Sequence, residues 1–579
     1  MDKKTAAYLL ASLLERMQRD GNAGSVSSHE IKALRLALQS LDPDADLPAV
    51  QETPPPSPQP GGAPVQLATD GSKPLPAPAA QPLALPEVKL VLDSLDQSEP
   101  SDEGVLLCLD FGTAMSKAFA SLAPDEYLDL ELGAAAGRSG YTLPSSIFIA
   151  DDGKVYFGHE AIDRSEGLMD SGRQRLDSIK AWLSQQKEGN LDGDARILQK
   201  SWNPTEFKLT QGDLIRIYLA YLTDIANQAL SVYQVAGHSV GRYVKRRFAR
   251  PCWPDQAQTE WADKLMRTML AEAQVLADTF SDRWAGGIAV AELKAALEQV
   301  RQLASRPDYL ISEGVPEPVA VAAGAIADAE NMRDAFMVVD VGAGTTDFGL
   351  FVATRRPNVE DDEPRVHQLP ASIQGLMQAG DKVDGMLRAF ICKHESIDAT
   401  DTSGQLIQAD LGRRIRGLKE TLFKTGELEY ALADGTVGSI KLEEFLADPT
   451  VKRFGQLVEE GFKKALEAVD ESWLRWLAMD GVRLHVVLTG GSSTLPMMQA
   501  LAKGPVEVKG FKILRKGVDP KPDWMDDAAP ELAAVYPQLA VAIGGAAEEL
   551  PETLTAPLNF GGGVGRATYV AGRIQISGR

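Results

Sequence analysis

Two widely separated segments of this chain repeat one pattern: an apolar strand ending in Asp-x-Gly, a small-residue turn, and a second apolar strand. The first is Val105-Leu-Leu-Cys-Leu-Asp110-Phe-Gly112-Thr113-Ala-Met-Ser116-Lys117, and the second is Phe336-Met-Val-Val-Asp340-Val-Gly342-Ala-Gly344-Thr345-Thr346-Asp347. An aspartate closing a buried strand, followed by a glycine turn, sets a carboxylate beside bare backbone N–H groups. Amides so placed hold phosphoryl oxygens, and the carboxylate faces a Mg2+ ion. Two such hairpins point to a duplicated domain closing on one nucleotide from both sides. Either one alone is a weak signal, because buried strands also end at Asp-Gly turns for structural reasons.

A third element strengthens the pattern. Leu484-His-Val-Val-Leu-Thr489-Gly490-Gly491-Ser492 is an apolar strand running into paired glycines, where the backbone can approach a ligand that any Cβ would obstruct. Gly342-x-Gly344 does not complete a dinucleotide fingerprint, since Asp347 stands where the third glycine belongs. The chain has no Gly-x4-Gly-Lys-Ser/Thr loop, which excludes a Walker-type NTPase.

In this order the three elements resemble the actin, sugar-kinase and heat-shock ATPase superfamily, and in finer detail the DnaK-type, seventy-kilodalton heat-shock family. Asp110-Phe-Gly-Thr is similar to that family's Asp-Leu-Gly-Thr, and Asp340 to Asp347 to its Asp-Leu-Gly-Gly-Gly-Thr-Phe-Asp. Leu143-Pro-Ser-Ser-Ile147, Glu317-Pro-Val-Ala-Val-Ala, Gly490-Gly-Ser-Ser-Thr-Leu-Pro496 and Val541-Ala-Ile-Gly-Gly-Ala-Ala547 follow the remaining motifs. The resemblance implies an α/β chain with a duplicated actin-like (ribonuclease-H-like) ATPase fold, two lobes around a nucleotide cleft. It also implies ATP and Mg2+ as ligands. Asp110 and Asp340 would hold hydrated Mg2+. Gly112, Thr113, Gly342, Gly344, Thr345, Gly490, Gly491 and Ser492 would meet the nucleotide. Lys180 matches the family's phosphate-neutralising lysine, and Glu317 the carboxylate that orients the attacking water; spacing alone selects neither. Catalysis of this kind is mostly positioning and charge neutralisation.

The chain also departs from the family. Where the chaperones grip adenosine with Glu-x-x-Lys-Arg-x-x-Ser, it reads Arg416-Gly-Leu-Lys419-Glu420-Thr-Leu-Phe423, keeping only the lysine. Thr494 replaces an arginine that stacks on the base. Lys117 stands where the chaperones have a small residue and actin has lysine, within reach of a β-phosphate. The interval from Lys180 to Glu317 is longer than the family's, with extra material at 280–306. The chain ends soon after the ATPase core, so the family's peptide-binding sandwich and helical lid are not expected.

The expected domains are a helical hairpin over 1–50, a Pro-rich linker over 51–100, an ATPase domain over 101–550 and a Gly-rich tail or small hairpin over 551–579. The ATPase lobes divide near residue 330. Ser27-Ser-His-Glu30 reads as a capping box within the hairpin, which is either a solvated decoration or a docking module for a protein client or co-factor. Pro54 to Pro86 cannot bury enough apolar surface to order itself. The apolar island Val88 to Asp93 is either an edge strand or a groove-filling segment. Strands are predicted at 105–110, 117–122, 145–150, 336–341, 347–352 and 484–489. Helices are predicted at 210–232, 255–279, 289–303, 411–425 and 451–476.

The formal net charge of −22 argues against nucleic-acid binding. Three widely spaced cysteines make neither a disulfide framework nor a zinc pattern, as in a reducing cytosol. Lys3-Lys4 before the apolar run Ala6 to Leu14 lacks a small-residue cleavage site, and no stretch approaches a membrane span. The expected protein is a cytoplasmic, weakly hydrolysing ATPase switch; the rivals are an actin-like filament or scaffold and, last, a small-molecule kinase.

Overall fold

The apolar runs flanking the two Asp-x-Gly turns form the central strands of two mixed sheets. In the first sheet β1 (Val105–Asp110) pairs antiparallel with β2 (Met115–Leu122), and β2 with β3 (Glu126–Asp129). On its other side β1 runs parallel to β4 (Lys245–Arg250), which runs parallel to β5 (Ile311–Pro316). The second sheet repeats this order and sense. There β6 (Arg333–Val341) pairs antiparallel with β7 (Thr346–Thr354), β7 with β8 (Arg365–Gln368), and β6 runs parallel to β9 (Leu484–Thr489), then β9 to β10 (Phe511–Val518). Strands covered on both faces read as continuous apolar sequence, which is why β1 and β6 carry no alternation.

This architecture comes from a computed structural model that describes residues 84–554, apart from 123–125, 167, 169–171, 186–189, 236, 254, 327–332, 356–364, 523–524 and 527–528. Residues 1–84 with 435–437 form one unit, and residues 85–434 with 438–579 a second, to which everything below belongs. The predicted N-terminal hairpin, most of the Pro-rich linker and the tail beyond 554 lie outside the described residues.

Helices α1 (Gln211–Leu230) and α2 (Gln256–Thr279) cover the first sheet. Helix α1 starts at a reciprocal cap: Thr210 Oγ1 accepts from the Asp213 amide at 3.1 Å, and Asp213 Oδ2 accepts from the Thr210 amide at 2.8 Å. Helix α3 (Glu317–Ala325) follows β5 directly. Helices α4 (Gly380–His394) and α5 (Thr402–Thr425) belong to the second half, and α6 (Pro530–Gly545) returns to pack along α3. Besides the core of each sheet, a third buried cluster joins Cys108, Phe119 and Val315 of the first with Phe336, Val338 and Phe351 of the second, through α3 and α6.

Several expectations need adjustment. The 145–150 strand shortens to Ile147–Ile149. The single helix over 451–476 is two, Pro449–Glu467 and Glu471–Leu477, because Asp470 caps a new start by accepting from the Ser472 amide. The extra material at 280–306 packs into the first core, where Phe280, Leu293, Leu297 and Val300 are fully buried. The island at Val88 fills a groove rather than adding a strand. Val88 and Leu90 pack on the first core, and the Val91 amide donates to Thr279 Oγ1 at 3.0 Å. Among the described residues no helix is long and apolar enough to cross a membrane.

Candidate functional site

Strand register decides what faces the turns. In the first hairpin Asp110 lies opposite Lys117, and in the second Asp340 lies opposite Asp347, the same seven-residue offset. Cross-strand neighbours are the pairs that interact in a sheet. Lys117 Nζ accordingly reaches Asp110 Oδ2 at 2.9 Å. The second hairpin puts two acids where the first has an acid and a base. Asp340 Oδ1 accepts from Thr489 Oγ1 at 3.0 Å, Thr489 being its parallel partner on β9, and Asp347 Oδ1 accepts from the Cys252 amide at 2.7 Å.

The two turns touch. A Cβ on Gly344 would lie 2.6 Å from Thr113 Oγ1, so glycine permits the second turn to close on the first. Gly490 holds a φ of 86° with its Cα against the end of β6, where a Cβ would lie 2.4 Å from the Val341 carbonyl oxygen. The Ser492 amide donates to that same oxygen at 3.0 Å, fastening the third motif to the second. The start of α4 is tied there too, since the Gly380 amide donates to the Gly342 carbonyl at 3.2 Å.

Between these turns lies a cavity of about 410 Å3, lined by every site residue singled out from the sequence, from Asp110 through Ser492. Lys180, just before a short helix at Ala181–Gln185, and Glu317, the first residue of α3, meet inside it. Lys180 Nζ donates to Glu317 Oε1 at 2.6 Å, with side chains only 6% and 8% exposed. Burial works to lower the Lys180 pKa, but Glu317 and Asp110 outweigh it and hold the ammonium above its ordinary value. Burial, with Glu317 and Asp110 nearby, pushes Asp340 up to about 7, while Lys117 and the Thr489 hydroxyl pull the other way. Asp347 is raised well above the carboxylate range by burial and by Glu317. Asp110, Glu317, Asp340 and Asp347 therefore crowd two ammonium groups, and the site carries an excess of acid.

This donor set suits a hard, oxygen-seeking dication. Among the described residues no group of three or more His, Cys, Asp or Glu could hold a metal unaided. Any such ion would need ligand oxygens and water to complete its shell. The residues fit a magnesium ion that comes with phosphate.

Lys419 is engaged by Asp384 at 2.8 Å and points at the Gly380 carbonyl, so it braces the start of α4 while still lining the cavity. Sequence reasoning passed over Asp347 as a site residue. Its offset from Asp340, equal to that of Lys117 from Asp110, was the available signal. It also passed over the apolar end of the cavity, Phe423, Leu442 and Leu495. A second cavity of about 760 Å3, lined by Trp182, Trp202, Asp381 and Arg413 among others, lies between 172–182 and helices α4 and α5. Beside it Ser178 Oγ donates to Asp381 Oδ2 at 2.7 Å, and Arg175 Nη2 to the Arg413 carbonyl at 2.9 Å. These bonds bridge the two halves two and five residues before Lys180. No known protein-family model matches the chain.

Proposed function

We propose that this chain is a Mg2+-dependent ATP hydrolase of the DnaK type, in which two halves of a duplicated actin-like fold close on the nucleotide and relax after hydrolysis. The observation that carries the reading is the meeting of two hairpins of identical register, one on each sheet, across a cavity that also receives Lys180 and Glu317. A volume of about 410 Å3 is within the usual range for a small-ligand pocket.

In this reading the backbone amides of the 112–113, 342–345 and 490–492 turns cradle the phosphates. Asp110 and Asp340 would hold the Mg2+, which supplies charge neutralisation for the phosphoryl oxygens. Glu317 accepts a hydrogen bond from the attacking water and orients it. Lys180, held charged beside Glu317, offsets negative charge on the transferred group. Lys117 leaves Asp110 for a phosphate oxygen, exchanging one anionic partner for another. Single-turnover hydrolysis of ATP by the purified chain tests the reading: Glu317→Ala should bind Mg-ATP but lose at least a hundredfold in rate, and Asp340→Asn should lose both. Undetectable binding of Mg-ATP by the unmodified protein would refute it.

Lys117 inside the cavity also favours a second reading, an actin-like ATP-dependent filament. Sedimentation with ATP but not with ADP would decide for it.

A further inference from the structure

We infer that the base end of this cavity is built for guanine at least as well as for adenine, so that the ligand is a purine nucleoside triphosphate without adenine selection. The inference rests on the nucleotide reading above and deepens it.

Helix α5 presents Arg416, Lys419, Glu420, Phe423 and Lys424 to the cavity, at offsets of three, four, seven and eight residues. That is one continuous stripe, about 12 Å long at 1.5 Å per residue. Its first part is fastened at the phosphate turns, because Lys419 pairs with Asp384 on α4 and α4 begins on the Gly342 carbonyl. Its last part is therefore the end away from the phosphates. There Phe423 packs edge-on to Phe445 at 6.2 Å, beside Leu442, Leu495 and Pro496. An aromatic ring held against the core is a stacking wall for either purine.

What distinguishes one purine from another is the hydrogen-bonding set around that wall. Glu420 and Lys424, one turn apart on the stripe, are both exposed where they line the cavity, make no ion pair with each other, and have no side-chain hydrogen bond among the described residues. An ionised glutamate only accepts, and an ammonium only donates. Guanine offers two adjacent donors, N1–H and N2–H, and two adjacent acceptors, O6 and N7. A carboxylate and an ammonium match both of its edges. Adenine offers the carboxylate one donor, at N6, and the ammonium one acceptor beside it, at N1 or N7, so the pair accepts adenine without favouring it over guanine.

Competitive binding to the full chain tests this, using Mg-GTP, Mg-ATP and Mg-tripolyphosphate against a fluorescent nucleotide. GTP should bind as tightly as ATP or up to tenfold more tightly. Glu420→Gln supplies a donor beside an acceptor, which suits adenine, and should shift the GTP/ATP affinity ratio at least fivefold toward ATP. Phe423→Ala should weaken both nucleotides alike and leave tripolyphosphate unchanged. An ATP preference of tenfold or more in the unmodified chain, or a ratio indifferent to Glu420→Gln, overturns the inference and leaves the nucleotide reading intact. Failure of all three ligands to bind overturns both.

Discussion

The buried ion pair between Lys180 and Glu317 yields the sharpest energetic test. Its Nζ–Oε1 distance is 2.6 Å and both side chains are nearly inaccessible. Breaking one partner of such a pair costs about 3–5 kcal/mol, because the survivor is left charged and dry. The two single variants should not cost the same. After Glu317→Gln, Lys180 still faces Asp110 and Asp347, so the loss belongs at the low end, about 3 kcal/mol. After Lys180→Met, Glu317 loses its hydrogen-bonded ammonium and stays beside Asp340 and Asp347, and the loss belongs near 5 kcal/mol. The double variant removes both charges and should return to within about 2 kcal/mol of the parent. For a cooperative unit of about 200 residues each kcal/mol moves Tm by about 2 °C, so the expected drops are about 6, 10 and 4 °C. Scanning calorimetry of the nucleotide-free protein at pH 7.5 reads them. The stabilised double variant should still fail to hydrolyse ATP, which separates the structural from the chemical role. If the double variant is no more stable than Lys180→Met, the two charges are not coupled and the reasoning fails.

Other consequences follow from the same geometry. The folded-state pKa of Asp340 is raised from 3.8 to about 7, so the stability it leaves intact below about pH 4 is lost as pH rises through 7. Asp340→Asn removes that loss, and the unfolding free-energy advantage of the variant without ligand should grow between pH 5 and 8 toward a value on the order of 4 kcal/mol; a constant offset would contradict it. Gly344→Ala drives a methyl to 2.6 Å from Thr113 Oγ1 and should weaken Mg-ATP binding at least tenfold by calorimetric titration. Adding Thr113→Ala, which removes the atoms at 2.6 and 3.2 Å, should recover part of that affinity; no recovery would mean the turns do not meet. Ser178→Ala with Arg175→Ala deletes two hydrogen bonds between the halves. At about 1 kcal/mol each, nucleotide release measured by stopped flow should quicken by roughly tenfold or more, and an unchanged rate would show that opening does not break them.

What the sequence made legible follows from how each signal is encoded. The Asp-x-Gly hairpins are local: hydrophobic runs set the strands, the turn sets the register, and the register delivers Asp110 and Asp340 to the turns. The Lys180–Glu317 pair joins residues 137 positions apart, and no periodicity reports such a contact; only the motif resemblance pointed to it. Strand β4 was missed because Lys-Arg-Arg-Phe-Ala-Arg does not read as buried. Yet Arg246 is wholly inaccessible, its guanidinium donating to the carbonyls of Val244 and Arg242. Two of its three guanidinium nitrogens find backbone carbonyls within the fold, which hydropathy cannot see. Helix α5 begins nine residues ahead of its predicted start, at an Asp401 cap, because the polar stretch from Thr402 to Asp410 hides an apolar face of only Ile407 and its neighbours. The most informative detail lay in plain view. Opposite its first aspartate each hairpin carries a different charge, lysine at 117 and aspartate at 347, so the first carboxylate is neutralised by its own strand partner and the second faces another acid. On the reading proposed above, a site balanced on one side and acidic on the other would take an anion together with a cation, as Mg-triphosphate supplies.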